Sequence, residues 1–337
     1  MSTPVQSALA ALSAGRKDGL DAAFAALLAG EATPAQTGAL LMGLERAGVD
    51  AEVVAAGARA MRAAMVPVDA GDGLIDVCGT GGDGSHTLNI STAVSFVLAG
   101  CGLKVAKHGN RGMSSKSGAG DVLEALGVNL AATPETTARA IGEAGVGFLF
   151  AQAHHPAMRH VAAARRELGF RTVFNLLGPL SNPAGAGRQL LGVYAPEKLV
   201  VMAEALRLLG AQAAWVIHGD GGLDEAALSG PTRVAALSGG AIETFEITPE
   251  DAGLTRAPLE ALRGGEPAQN AEALRALLDG APGAYRDAVI LNAACALMVA
   301  GAADDLKQAA HHAREAIDRG AARRALDALV AITNEPS

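Results

Sequence analysis

A chain of 337 residues, half of them hydrophobic and with a formal charge of −8, can bury one large core or two unequal ones. The acidic balance argues against a nucleic-acid or membrane-surface partner, since both need a positive footprint. The three cysteines, Cys78, Cys101 and Cys295, form no C-x-x-C pair, which argues against a disulfide framework or zinc site. The start, Met1-Ser2-Thr3-Pro4-Val5, has no leader pattern and no apolar run could span a bilayer, so a cytoplasmic protein is expected.

Residues 1–68 carry only helical signals. An apolar run covers 21–28, Thr33-Pro34 reads as N-cap and first helical residue, and Asp50 caps a helix over 51–65. Gly30 and Gly48 stand where helices stop. The small face made by Ala55, Ala56, Ala60 and Ala63 suits close packing, inside a domain or against a second subunit. From Asp69 onward strands alternate with helices. The fold expected is therefore α/β: a small all-helical domain over 1–68, then a larger domain over 69–337 with a mostly parallel sheet and flanking helices.

The first unit of the larger domain is a buried strand over 74–78, a loop with Gly79, Gly81, Gly82 and Gly84, and a helix from Ser91 to Leu98. Glycines allow positive φ and close approach of a ligand, leaving the loop amides free to face an anion. The unpaired N–H groups of the helix start point at the same place. The spacing matches G-x-G-x-x-G, yet the next strand ends in Lys107-His108 and not in the acidic residue that grips a dinucleotide ribose. Asp83, set among phosphate-binding amides, calls for a metal ion or a ligand hydroxyl. A metal-bound polyphosphate sugar fits these residues better than a dinucleotide.

A second loop, residues 107–120, carries Lys107, Arg111, Lys116 and three serines, Ser114, Ser115 and Ser117, at a strand's carboxyl end, where open α/β sheets bind ligands. After a helix over 134–144 and a strand over 146–151 come His154 and His155, read as ligand-lining imidazoles, and a helix over 157–168. That helix bears Arg165 and Arg166, whose planar forks suit a carboxylate. Residues 174–185 contain too many turn formers for a regular element and too many apolar ones for a mobile loop. They are expected to be an ordered, partly buried connection. A third glycine loop, 219–225, ends in Asp224-Glu225, adjacent carboxylates whose position beside anion loops points to Mg²⁺. The strand pair over 232–237 and 241–247 and the helical tail over 271–330 show no chemistry of their own.

Five segments in this order resemble the anthranilate phosphoribosyltransferases of tryptophan biosynthesis: Gly79-Thr-Gly-Gly-Asp83 with Asn89-Ile-Ser-Thr92, Lys107-His-Gly-Asn-Arg111, His155-Pro-Ala-Met158, Asn175 through Pro183, and Gly222-Leu-Asp-Glu225. The resemblance implies a homodimer related to the pyrimidine nucleoside phosphorylases, dimerising through the helical domain with an excursion over 156–187. It also implies Mg²⁺-dependent transfer of phosphoribose from phosphoribosyl pyrophosphate to anthranilate. Carried over, it puts the sugar donor on Gly79, Gly82, Asp83, Thr87, Asn89, Ile90, Ser91, Thr92, Lys107, Gly109, Asn110, Arg111, Gly112, Met113, Ser114, Ser115 and Ala119. Ala119 departs from the serine found in many relatives. Anthranilate falls to Gly79, His108, Asn110, His155, Arg165 and Gly178, and Mg²⁺ to Ser91, Asp224 and Glu225. Lys107, Asp83 and Arg165 are the implied catalytic residues.

Overall fold

A computed structural model describes residues 2–112 and 116–336. Four helices open the chain: α1 (Pro4–Ser13), α2 (Leu20–Leu28), α3 (Pro34–Ala47) and α4 (Ala51–Ala63). Thr33 starts α3 as the sequence predicts. Its hydroxyl accepts the Gln36 N–H at 3.2 Å while the Gln36 side chain accepts the Thr33 N–H at 3.0 Å, and Pro34 sits where a helix has no use for an N–H. Asp50 caps α4 by accepting from Val53 N–H at 3.0 Å.

Strands and helices then alternate: β1 (Leu74–Gly79), α5 (Ile90–Gly100), β2 (Lys104–Gly109), α6 (Ala119–Ala125), α7 (Pro134–Glu143), β3 (Val146–Phe150), α8 (Ala151–His154), α9 (Arg159–Leu168), α10 (Phe174–Leu177), β4 (Arg188–Gly192), α11 (Lys198–Leu208) and β5 (Ala213–Gly219). The chain ends with β6 (Thr232–Ser238), β7 (Ala241–Ile247), α12 (Pro267–Leu278), α13 (Ala284–Ala300), α14 (Leu306–Asp318) and α15 (Ala321–Thr333). Residues 174–185 are largely buried, as expected, but they include the helical turn α10 where only irregular chain was foreseen. No helix among the described residues is long and apolar enough to cross a membrane.

Among the described residues the strands make one seven-stranded sheet in the order β3-β2-β1-β4-β5-β6-β7. β1 to β5 run parallel and β6 and β7 antiparallel. The α/β architecture with a mostly parallel sheet is thus as the sequence indicates. From β1 the chain goes to one side for β2 and β3 and to the other for β4 and β5. The carboxyl ends of β1 and β4 therefore flank the crevice where such sheets take ligands.

Two apolar cores back the sheet. One joins β1, β2 and β3 with α5, α6, α13, α14 and α15, and α13 is buried on nearly every side. The other runs without a break from α2, α3 and α4 through α9, α10 and α11 to β4, β5 and β6. Ala55, Ala56 and Ala60 are buried in the chain, and Ala63 is exposed. Gly57 lets α4 come so close to α10 that a Cβ there would lie 2.7 Å from Leu177 Cδ1.

The sheet also opens between β1 and β2. Their pairing covers only Leu74↔Lys104 and Ile75↔Val105, whereas β1 stays with β4 to Gly79 and β2 with β3 to Gly109. Asp76, fully buried, fills the wedge. It accepts from His108 N–H at 3.1 Å and from the Asn182 amide at 2.8 Å. Asn182 also donates to the Ala106 carbonyl at 2.8 Å. Side chains thus satisfy backbone groups that the ladder abandons.

Candidate active site

Three turns meet over the ends of β1 and β4: the glycine loop after β1, the loop after β2 and the turn after β5. The close approach has a simple cause. An ideal Cβ at Gly79 would lie 2.3 Å from Asp224 Oδ2, and one at Gly192 would lie 1.6 Å from the Asp224 carbonyl oxygen. Only glycines at both strand ends admit the turn that carries Asp224.

Once there, Asp224 Oδ2 accepts from Gly81 N–H at 2.7 Å and Glu225 Oε1 from Ser91 N–H at 3.2 Å. Of the donors expected to face an anion, the Gly81 and Ser91 amides are thus taken by the two carboxylates. The amides of Gly82, Asp83 and Gly84 donate to no described residue. Burial pushes the carboxyls of both Asp224 and Glu225 upward, and neighbouring carboxylates push further, Asp83 on Asp224 and Asp224 on Glu225. Asp83 itself accepts from Ser85 N–H at 3.2 Å.

Lys107, only 3% exposed, reaches through the wedge between β1 and β2. Its Nζ donates to the Val77 carbonyl at 2.7 Å and to Ser91 Oγ at 3.4 Å, and Asp76 and Glu225 supply nearby negative charge. Its hydroxyl partner Ser91 opens α5 beside Ile90 and the buried Thr92.

The donor set fits a hard divalent cation. Asp224, Glu225 and Ser91 Oγ offer oxygen only. Among the described residues no group of three or more His, Cys, Asp or Glu side chains is arranged to hold a metal. Two carboxylates and a hydroxyl suit Mg²⁺, which keeps waters and phosphate oxygens as further ligands.

The far side of the glycine loop is stitched to a segment before α12. Leu88 N–H donates to the Leu262 carbonyl and Gly264 N–H to the His86 carbonyl, each at 2.8 Å, and Thr87 bridges Arg263. Asn89 accepts from the Asn270 amide at 2.9 Å and donates to the Ser117 carbonyl at 3.3 Å, and its own carbonyl takes the Tyr285 hydroxyl at 3.1 Å. Asn292 of α13 accepts from Ala226 N–H at 2.8 Å, just past Glu225. The tail thus holds both ends of the site, which its sequence does not announce.

In the second loop Asn110 sits after Gly109, and its side-chain oxygen accepts from Arg111 N–H at 2.8 Å. Arg111 turns outward, pairing with Asp121 at 3.0 Å and Glu124 at 2.7 Å and lying over Phe150. Gly112 N–H donates to Asp121 at 2.8 Å, and Ala119 opens α6. Met113, Ser114 and Ser115 lie outside the described residues.

His108, His155 and Gly178 stand together. The Gly178 carbonyl lies 3.1 Å from His108 Nδ1 and can only accept, which places the proton on Nδ1. His108 Nε2 then accepts from His155 Nε2–H at 3.1 Å. Burial, before any neighbouring charge, pushes His108 down to about 3 and His155 to about 4, so both rings are neutral at pH 7. Arg165 is half-buried, with its guanidinium 5.5 Å from the centroid of Phe174, the first residue of α10. Burial lowers its pKa, and among the described residues no carboxylate pairs with it.

Comparison with known proteins agrees with this geometry. Residues 71–323 match the glycosyl transferase family a/b domain, and residues 16–65 match the helical bundle domain of the same family. The anthranilate phosphoribosyltransferase of Parvibaculum lavamentivorans is 57% identical over 313 residues, 93% of this chain and 92% of that protein. That of Rhodopseudomonas palustris strain BisA53 is 54% identical over 94% of both chains. The crystal structure of the Thermus thermophilus enzyme superposes with a TM-score of 0.93 at 46% identity, covering 99% of this chain and 100% of that one. The Saccharomyces cerevisiae enzyme in complex with phosphoribosyl pyrophosphate and Mg superposes at 0.90 with 28% identity, covering 99% and 98%. With likeness this high along nearly the whole length, and with the carboxylates, buried lysine and paired imidazoles gathered at the carboxyl ends of the central strands, the chain belongs to the anthranilate phosphoribosyltransferase family.

Proposed function

We propose that this protein transfers phosphoribose from phosphoribosyl pyrophosphate to anthranilate in tryptophan biosynthesis, with Mg²⁺ required. One observation carries the reading: half-buried Asp224 and Glu225 sit against the glycine loop and the start of α5, beside Lys107, and among the described residues no other cation pairs with them.

Breaking the bond from the anomeric carbon to pyrophosphate builds negative charge on the departing group, so stabilising that charge is the main task. Asp224, Glu225 and Ser91 Oγ hold Mg²⁺, which neutralises part of the diphosphate charge when bound. The free amides of Gly82, Asp83 and Gly84 and the Lys107 ammonium supply the rest. Thr87, Asn89, Thr92, Gly109, Asn110, Gly112 and Ala119 line the rest of the proposed donor site among the described residues.

The anthranilate amine is neutral at pH 7 and needs no strong base. Two neutral imidazoles, His108 and His155, suit that requirement and orient the aryl amine between Asn110 and Gly178. Arg165, a half-buried cation lacking a protein carboxylate, takes the carboxylate of anthranilate. A S. cerevisiae relative has been solved with 4-fluoroanthranilate.

The helical region over 1–68 forms the smaller domain, joined by the excursion over 156–187, and carries a homodimer contact. Exposed Met42 on α3 supports that surface. The working compartment is the cytoplasm. Loss of anthranilate fluorescence on incubation with phosphoribosyl pyrophosphate and Mg²⁺ tests the activity. Unchanged fluorescence, with a nucleoside cleaved by phosphate instead, would replace it with a phosphorylase reading.

A further inference from the structure

Arg171 lies in the short segment between α9 and α10, and its side chain crosses to the glycine loop. The guanidinium carbon stands 4.1 Å from the centroid of the Tyr194 ring, and Nη2 donates to the Gly82 carbonyl. A Cβ at Gly82, where φ is +78°, would come within 3.0 Å of the same nitrogen. No carboxylate among the described residues pairs with Arg171. The platform it rests on belongs to the same corner: Tyr194 N–H donates to Thr80 Oγ1 at 3.2 Å, and Thr80 N–H to the Gly192 carbonyl at 2.9 Å.

We infer that Arg171 is a positioning residue for the donor loop, an inference that rests on the function proposed above. In a trans peptide the N–H points opposite to the C=O. Holding the Gly82 carbonyl to Arg171 therefore turns the Asp83 N–H the other way, away from the guanidinium. The loop is gripped twice, by an acceptor on the Gly81 N–H (Asp224) and by a donor on the Gly82 carbonyl (Arg171), leaving the Gly82 and Asp83 amides oriented and without a partner among the described residues. The residue type is demanding. A planar fork can stack on an aromatic face and donate in its own plane at once, and a lysine cannot. The helix α9 that precedes Arg171 packs on α2 and α3, so the grip also ties the loop to the helical domain.

The test separates donor binding from the rest. Arg171→Met and Tyr194→Leu are compared with Tyr194→Phe, which keeps the ring face. Titration calorimetry with phosphoribosyl pyrophosphate and Mg²⁺ is run alongside steady-state kinetics. Arg171→Met is expected to weaken donor binding and raise the donor KM by about tenfold or more, with the anthranilate KM and kcat at saturating donor changed by less than about threefold. Tyr194→Leu should show the same split to a smaller degree, and Tyr194→Phe should match the parent. Donor affinity unchanged in both Arg171→Met and Tyr194→Leu, or equal losses toward both substrates, would overturn the inference. If Arg171→Met does not fold, Tyr194→Leu against Tyr194→Phe decides. Failure of the proposed reaction itself shows separately, as absence of turnover in the unmodified protein.

Discussion

Gly81 hands its backbone N–H to Asp224 Oδ2 across 2.7 Å. A carboxylate proposed to hold the metal thus sits on an amide of the loop proposed to hold the phosphates. On that reading, donor binding exchanges this contact for two others, amide to phosphate and carboxylate to cation.

The exchange predicts an opposition between stability and activity. Burial raises both Asp224 and Glu225, so their charged forms are disfavoured in the folded protein and cost stability as pH rises through their range. Asp224→Asn with Glu225→Gln should therefore melt a few degrees (about 2–5 °C) higher than the parent at pH 8 without divalent cations. It should also lose the stabilisation by Mg²⁺ and about 100-fold or more of kcat. A variant that keeps full Mg²⁺-dependent turnover would refute the metal role.

The histidine pair predicts acid sensitivity of a definite sign. Both rings are depressed by burial, to about 3 and about 4, from an unfolded value near 6.5. Their contribution is complete above that value and is lost as pH falls toward the folded values. His155→Asn should remove about 2 kcal/mol of the destabilisation seen between pH 7 and pH 5. Urea unfolding at the two pH values measures it, and an identical pH dependence in parent and variant would contradict the buried neutral ring.

Arg165→Ala should raise the KM for anthranilate by roughly 10- to 100-fold, the range of a charged hydrogen bond, and leave the donor KM nearly unchanged. Equal effects on both substrates would rule out a carboxylate contact. Because its guanidinium covers Phe174, a modest fall in stability should accompany the change.

Asp76→Ala strands the His108 N–H and one of the two N–H groups of the Asn182 amide at a buried position. The expected cost is about 3 kcal/mol by denaturant melts, with donor affinity falling because Lys107 loses its guide. Unaltered affinity in a destabilised protein would show the wedge to be scaffold only.

Much of this was legible in the order of residues. Glycine spacing exposed the donor loop, the switch from helical texture at Asp69 marked the sheet, and the pair Asp224-Glu225 stood out beside glycine turns. Partners set by folding were not legible. Asp76 reads as one polar residue in an apolar strand until β2 is seen to leave β1. Tyr285 and Asn292 look like ordinary members of a buried helix, and Arg171 looks like a solvated cation. Each acts through a contact across long sequence separation, which periodicity and local spacing do not encode. The occupied amides of Gly81 and Ser91 were hidden for a different reason: sequence shows that donors exist but not which of two acceptors holds them.

The seam between His86–Leu88 and Leu262–Gly264 has a consequence for biogenesis. During synthesis the glycine loop emerges early, yet the strip that braces its outer side is translated well after β5 and its carboxylates. Competence for catalysis is therefore among the last properties the nascent polypeptide can acquire, after every strand of the sheet has been translated.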